Sequence, residues 1–417
     1  MRGAPLPSSA EVVVVGAGLS GLSCALFLEQ AGLDVHVVEA SDAVGGRIRT
    51  DEIDGFTLDR GFQVLLTAYE EVQAQIDMPQ LDLRAFKAGS LIWNGRSLEK
   101  IGDPYRDPAS AMASLRAKVG SLADKMRVAK LRRRLTNAPA GDCFSEPDRS
   151  TQDELESLGF SAEFIDTFFR PFLGGVFLER PLETSASLFR YYFRCFAIGE
   201  ATVPAQGMQR LPEQMASTLD ERISLGTTVQ AASATQVSTE GGQTVSAQHV
   251  VVALDGASAS TLLGTPVPEF KATVTSYFAA EEAPTAEPVL VLDGEGTGPA
   301  NHIAVMSNVA PKYAPAGAHL VAVSGVDGAA DDPMSFHTAA SGQLARWFGP
   351  KVSSWQHLKT YRVPHALPRH PAGSLQQQDS ARRRDGIIVA GDYTEFGSIQ
   401  GALRSGRRAA EAILEGR

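Results

Sequence analysis

The 417-residue chain carries 38 lysines and arginines against 48 aspartates and glutamates, a net charge of −10 that argues against nucleic acid as a partner. With 43% hydrophobic residues it has a globular composition at a length too great for one compact core, so two domains are expected. Cys24, Cys143 and Cys195 are far apart and form no CxxC pair, which excludes a disulfide framework and a metal site from the reading.

The first apolar run, Val12 to Val15, predicts a strand buried on both faces. It has an acidic residue before it and does not resemble a secretory leader, and no stretch approaches the roughly 18 apolar residues of a membrane span. A cytoplasmic protein is therefore expected. Gly16-Ala17-Gly18-Leu19-Ser20-Gly21 follows with Gly-x-Gly-x-x-Gly spacing, and Leu22 to Gln30 has helical periodicity. Gly16 permits the tight turn, Gly18 lets the backbone approach a pyrophosphate, and Gly21 lets the helix pack close to the strand. The helix N-terminus offers unpaired N–H groups to the phosphates. Gly32 ends the helix, and Asp34 to Val38 predicts a second strand running into Glu39 and Ala40, where a carboxylate meets a ribose hydroxyl pair. Together these elements predict a dinucleotide site.

Next come Gly45, Gly46, Arg47, Ile48, Arg49 and Thr50. Two adjacent glycines let the chain pass close to a ligand, with the arginines near phosphates or a flavin edge; the alternative is a surface turn with solvated arginines. At this point the sequence resembles the FAD-containing amine oxidase superfamily, which includes amine oxidases, protoporphyrinogen oxidases and carotenoid desaturases. Gly16, Gly18, Gly21, Glu39, Gly45, Gly46, Arg47, Arg49 and Thr50 match its opening signature, and Leu58 to Gln63 is similar to the stretch that follows. The resemblance implies an α/β fold: a Rossmann-type (GR2-like) FAD-binding domain with a discontinuous α+β substrate-binding domain. The division it suggests is 1–68, 205–265 and 375–417 for FAD, and 69–204 with 266–374 for substrate. The latter would comprise a helical insert over 105–200 and a mixed sheet.

Within the insert, Ala111 to Leu135 predicts one amphipathic helix, with Leu115, Val119, Leu122, Met126 and Ala129 as its apolar stripe. Arg116, Lys118, Lys125, Arg127, Lys130, Arg132, Arg133 and Arg134 face only Asp124 there. Such a face either docks on an anionic membrane, making the protein membrane-peripheral, or is simply solvated with its apolar stripe in the core. Phe160 to Phe196 is rich in aromatics and interrupted by Pro171 and the pair Gly174-Gly175. It reads either as the lining of a tunnel for an apolar substrate or as ordinary core.

Val203 to Met208 resembles the family's return to the cofactor domain. Ile223 to Val229 predicts a strand, on which the resemblance puts Val229 against the adenine through backbone contacts. Gly241-Gly242 predicts a hairpin, Val250 to Leu254 a parallel strand, and the runs Val289 to Leu292, Ile303 to Met306 and Leu320 to Ser324 the second sheet. The closing segment predicts a buried strand ending at Gly391-Asp392, a loop to Ser398, and a helix from Ile399, Gln400 and Gly401 to about Leu414. Asp392 can hold a ribityl hydroxyl, and the N-terminus around Ser398, Ile399 and Gln400 can stabilise negative charge on a reduced flavin. This segment is most similar to the plant-type carotenoid desaturases, from which Gln400 departs by standing where an acid is common.

The resemblance implies non-covalent FAD and hydride transfer from a substrate carbon to flavin N5, with oxygen or a quinone as the final electron acceptor. Lys312 and His365 are the candidate catalytic residues, each with a bland alternative as a surface lysine or a structural histidine. Three readings stand: a desaturase or dehydrogenase of an apolar, isoprenoid-like substrate; an amine or protoporphyrinogen-type oxidase using oxygen; and a non-redox isomerase or cyclase that only retains FAD.

Overall fold

The computed structural model describes residues 3–377 and 382–416, so residues 1–2 of the expected segment 1–68, and residues 378–381 and 417 of the expected segment 375–417, lie outside the described residues. Two sheets organise the chain. The first has eight strands around Ser9–Val15, which pairs in parallel with Val35–Val38 on one side and Thr244–Val252 on the other. Val12 and Val14 pack into the core built by Leu22 and Leu28, whereas Val13 and Val15 pack with Val237, Val245 and Val389. Successive strand side chains point to opposite faces, so one run of four valines serves two cores.

The long strand Thr244–Val252 has a divided second edge. Its first half pairs antiparallel with Gln236–Thr239 across a hairpin in which Gly242 takes φ +76°. Its second half pairs in parallel with Ile387–Val389, placing Val251 opposite Ile388. The chain's two ends meet beside this sheet. Leu19–Gln30 lies against the closing helix Ile399–Leu414, where Ser23 Oγ donates to the Leu403 carbonyl at 2.9 Å. A Cβ on Gly406 would stand 2.2 Å from the Ser20 carbonyl oxygen, so this helix pair requires glycine there.

The second sheet has seven strands in the order Gln356–Pro368, Phe270–Ala280, His319–Val326, His302–Val305, Leu290–Asp293, Gly89–Trp93 and Leu98–Gly102. All neighbours are antiparallel except Gly89–Trp93 with Leu290–Asp293. Pro333–Phe348 covers one face through Phe336, Leu344 and Trp347. The other face gives Leu292, Ala304 and Ala322 to the main core. The runs expected near residues 289, 303 and 320 are all strands of this sheet. A small three-stranded sheet, Leu65–Leu66, Ala201–Pro204 and Leu83–Ala85, ties the start of the helical segment to its end.

Two expected elements are broken. The helix over 111–135 is two helices, Ser110–Arg116 and Leu122–Thr136. Gly120 sits between them at φ +64°, and a Cβ there would come within 2.3 Å of the Phe164 ring. Ser121 starts the second helix in a capping box with Asp124, which also accepts from the Ser161 backbone and hydroxyl, each at 2.9 Å. These donors hold the Asp124 carboxyl down at about 2 against the opposing effect of burial. The strand over 223–229 is likewise two, Ile223–Ser224 and Val229–Ala232, at opposite edges of the first sheet. Gly226 takes φ +63° between them and donates its N–H to the Ser41 carbonyl.

Candidate functional site

One cavity of about 1500 Å³ is lined by the glycine turn, by the loops before and within the closing segment, by the second sheet and by the helical segment. Gly16, Gly18, Leu19, Ser20, Glu39, Ala40, Gly45, Gly46, Arg47, Gly391, Asp392, Ser398 and Ile399 all border it. Residues predicted from both ends of the chain therefore share one wall.

The turn has the geometry its spacing predicts. A Cβ on Gly21 would lie 1.9 Å from the Gly16 carbonyl oxygen, and one on Gly16 (φ +105°) would lie 2.6 Å from that of Ala253. At Gly18 a Cβ would meet no protein atom within 4 Å and would project only into open space. The helix that Gly18 opens has no side-chain cap, which leaves its N-terminal N–H groups to a ligand. Glu39 is held by the Ala17 N–H at 2.7 Å and by the Ser41 N–H and hydroxyl at 2.8 and 2.6 Å. Arg47 bridges the two ends: its Nη2 lies 2.6 Å from Asp392 Oδ1, and its Nη1 donates to the Ala366 carbonyl at 2.8 Å. Gln63 donates to the Arg47 carbonyl at 2.9 Å, and its buried Oε1 has no protein partner. An uncapped helix terminus, a cradle that a methyl would fill and an orphaned amide oxygen fit a bound dinucleotide.

Four expected cofactor residues do not border the cavity. Gly21 acts through packing, as its spacing predicts. Arg49 is turned away and pairs with Asp42 at 2.9 Å. Gln400 Oε1 accepts the Glu71 N–H at 2.9 Å, so its side chain ties the closing helix to Glu70–Gln75. Val229 lies on the outermost strand, opposite Thr239, because the strand expected through it is broken.

The two catalytic candidates part company. Lys312 is 59% exposed, does not border the cavity, and lies 3.8 Å from Asp82, so it cannot serve the cavity as expected. Proline at the first position of its short 3₁₀ turn holds it at the surface. His365 does border the cavity, as an exposed ring 5.2 Å from that of Phe270.

Another part of the wall is apolar and aromatic, with Phe62, Phe86, Phe164, Phe168, Phe172, Val176, Tyr192, Phe193, Phe196, Leu290 and Leu292, alongside polar lining residues such as Arg60, Lys87, Thr273 and His302. The aromatic segment divides: Phe164, Phe168, Phe172, Phe193 and Phe196 border the cavity, whereas Phe160, Phe169, Phe177 and Phe189 are at most 5% exposed and pack in the core. Tyr105, Leu115, Leu122 and Met126 also border the cavity while being 56–64% exposed. The apolar stripe is therefore split: Val119 is fully buried, and Leu115, Leu122 and Met126 face outward.

Sequence reading missed His302, a buried cavity residue whose imidazole burial pushes down to about 4. Its position at the head of the expected strand near residue 303 was the available signal, but nothing local says which face it occupies.

The flavin-containing amine oxidoreductase model matches residues 19–414. Protoporphyrinogen oxidase 2, chloroplastic/mitochondrial, of Arabidopsis thaliana is 29% identical over 174 residues, 42% of this chain and 34% of that protein. The carotenoid 3,4-desaturase of Haloarcula japonica is 46% identical over 54 residues, 13% of this chain and 11% of that protein. The matched stretches thus span about a third of the first relative and about a tenth of the second. The structure of a putative protoporphyrinogen oxidase from Exiguobacterium superposes with a TM-score of 0.75 at 17% identity, covering 99% of this chain and 100% of that one. With the match running across nearly its whole length, the chain belongs to the family of flavin-containing amine oxidoreductases.

Proposed function

We propose that the protein holds FAD non-covalently and dehydrogenates an apolar, isoprenoid-like substrate. The observation that carries this reading is the character of the wall beyond the glycine turn. Phe62, Phe86, Phe168, Phe172, Phe193, Phe196 and Leu292 line it. The carboxylates that border the cavity are engaged elsewhere: Glu39 by Ala17 and Ser41, Asp392 by Arg47, Asp103 by Arg132, and Asp255 by the helix it caps. An ammonium brought into such a site would lack a counter-ion, at a cost of several kcal/mol. A hydrocarbon gains about 25 cal/mol for each Å² it buries. None of the three cysteines borders the cavity, which supports non-covalent attachment.

A bound flavin supplies the two-electron acceptor for hydride removal from a substrate carbon. The chain's own part is binding and orientation. Helix Leu19–Gln30 and Gly18 receive the pyrophosphate, Glu39 the ribose, and Asp392, fixed by Arg47, the ribityl chain. The aromatic wall excludes water and aligns the substrate.

The mouth supports uptake from an anionic lipid surface. Tyr105, Leu115, Leu122 and Met126 border the cavity and are each more than half exposed, and Arg116, Lys118, Lys130 and Arg133 of the same stretch are exposed as well. Exposed apolar side chains on a stretch rich in exposed cations, in a chain of net −10, match a bilayer with negative headgroups.

A protoporphyrinogen-type oxidase is the second reading, favoured by the likeness of 174 residues of the chain to protoporphyrinogen oxidase 2 of Arabidopsis thaliana; the rim cations Arg106 and Arg132 are themselves paired, with Glu200 and Asp103. Reoxidation of photoreduced protein by oxygen and by a quinone analogue, run in parallel, separates the two. Fast reaction with the quinone and slow reaction with oxygen is expected. Rapid oxygen consumption with stoichiometric peroxide would overturn the dehydrogenase reading, and retained flavin that accepts no electrons from any substrate would point to non-redox use.

A further inference from the structure

His302 is a polar group built into the apolar wall. It is 4% exposed, borders the cavity, and meets the Phe62 ring edge-on at 4.9 Å between centroids. Its protonation pattern follows from its neighbour. Asn301, 1% exposed, donates from Nδ2 to the Pro171 carbonyl at 2.8 Å. A carbonyl oxygen only accepts, so this bond fixes which way the Asn301 amide faces. The same Nδ2 lies 3.2 Å from His302 Nδ1. Its second hydrogen is directed there, which makes Nδ1 the acceptor and leaves the ring proton on Nε2. Nε2 is buried and has no protein partner.

The surroundings hold the pair in place. A Cβ on Gly175 would come within 3.0 Å of His302 Nδ1, and one on Gly174 within 3.2 Å of Asn301 Oδ1. The glycine pair thus lets helix Arg170–Phe177 rest directly on the two side chains. Burial also keeps the ring neutral at physiological pH, so it donates without carrying a charge into the cavity. A buried donor without an acceptor is unfavourable and is rare in folded proteins; His302 borders the cavity while its Nε2 is closed off from the open space, so an acceptor on a bound molecule reaches Nε2 as the neighbouring wall side chains shift.

We propose that His302 is a specificity-determining residue whose Nε2–H donates a hydrogen bond to an oxygen atom of the substrate. The substrate class is then an apolar chain bearing a carbonyl or hydroxyl group, not a bare hydrocarbon. This rests on the apolar-substrate reading above. A site built to hydrogen-bond one group discriminates against the analogue that lacks it, because its own donor is then left unpaired.

The test uses flavin-loaded protein and two probes of equal length, a C20 polyprenyl aldehyde and the C20 hydrocarbon without the oxygen, titrated calorimetrically in dilute detergent. Wild type is expected to bind the aldehyde at least about tenfold more tightly, the ratio that 1.4 kcal/mol produces. In His302→Leu that ratio should fall to near one. His302→Gln, which keeps a donor, should retain most of it. Equal binding of both probes by wild type, or full discrimination in His302→Leu, would overturn the proposal while leaving the apolar-substrate reading intact. Failure of wild type to bind either probe would overturn both.

Discussion

Arg47 Nη2 and Asp392 Oδ1 stand 2.6 Å apart, joining the loop after the second strand to the loop before the closing helix. Asp392 is 4% exposed and Arg47 about a third exposed, so the carboxylate depends on the guanidinium more than the reverse. Arg47→Ala leaves that carboxylate buried without its cation, and destabilisation of about 2–3 kcal/mol is expected. Denaturant unfolding of the apoprotein reads this loss, and the absorbance ratio of purified protein reads the accompanying loss of flavin. Wild-type values for both would show that the pair is incidental.

Gly18 and Gly21 separate ligand space from packing space. Gly18 has φ −74° and ψ 176°, and a Cβ there meets nothing within 4 Å, so Gly18→Ala should fold normally. Its methyl should nevertheless weaken flavin binding by about tenfold or more, an effect of about 1.4 kcal/mol. Gly21→Ala places a Cβ 1.9 Å from the Gly16 carbonyl oxygen and should destabilise the apoprotein by about 3 kcal/mol. Thermal melts of both apoproteins should diverge accordingly; coincident melts would contradict the assignment.

Asp59 predicts a pH dependence of stability. Its carboxyl accepts from Thr50 Oγ1, the Met208 N–H and Tyr313 Oη, yet burial dominates and raises it from 3.8 to about 6. An acid raised in the folded state contributes fully below its unfolded value and loses that contribution as pH climbs through the folded one. Between pH 4 and pH 7 the difference in unfolding free energy should therefore shift by about 2 kcal/mol in favour of Asp59→Asn. Chemical denaturation at half-unit steps measures it, and parallel profiles for the two proteins would refute the assignment.

Lys312→Met should leave flavin content and turnover within about twofold of wild type, as expected for an exposed side chain away from the cavity. A large loss of turnover with normal folding would return Lys312 to the catalytic machinery.

The mouth predicts lipid binding. Leu122→Glu with Met126→Glu replaces two side chains, each 60% exposed, with charges that a negative surface repels. Co-sedimentation with phosphatidylserine vesicles at low salt should drop about tenfold or more relative to wild type. Undiminished binding would move the contact elsewhere, and no binding by wild type would end the membrane reading.

What the sequence by itself determined is whatever depends on neighbours in the chain. The turn from Gly16 to Gly21, the acid at Glu39 and the strand–loop–helix after Gly386 were all legible, because tight turns, buried strands and helix starts are set by residues a few positions apart. Side-chain facing was not legible. Arg47 and Arg49 are two residues apart in one motif, yet one pairs with Asp392 from the far end of the chain and the other with Asp42. Val229 lost its expected place because sheet order, which no local pattern encodes, sent its strand to the far edge. The setting of His302 came only with the tertiary structure, because Gly174 and Gly175, on a helix distant in the chain, let that helix rest against Asn301 and the His302 ring. The glycine signature encodes the cofactor cradle locally, whereas the substrate wall is assembled from segments distant in the chain, so only the tertiary structure could say which side chains compose it.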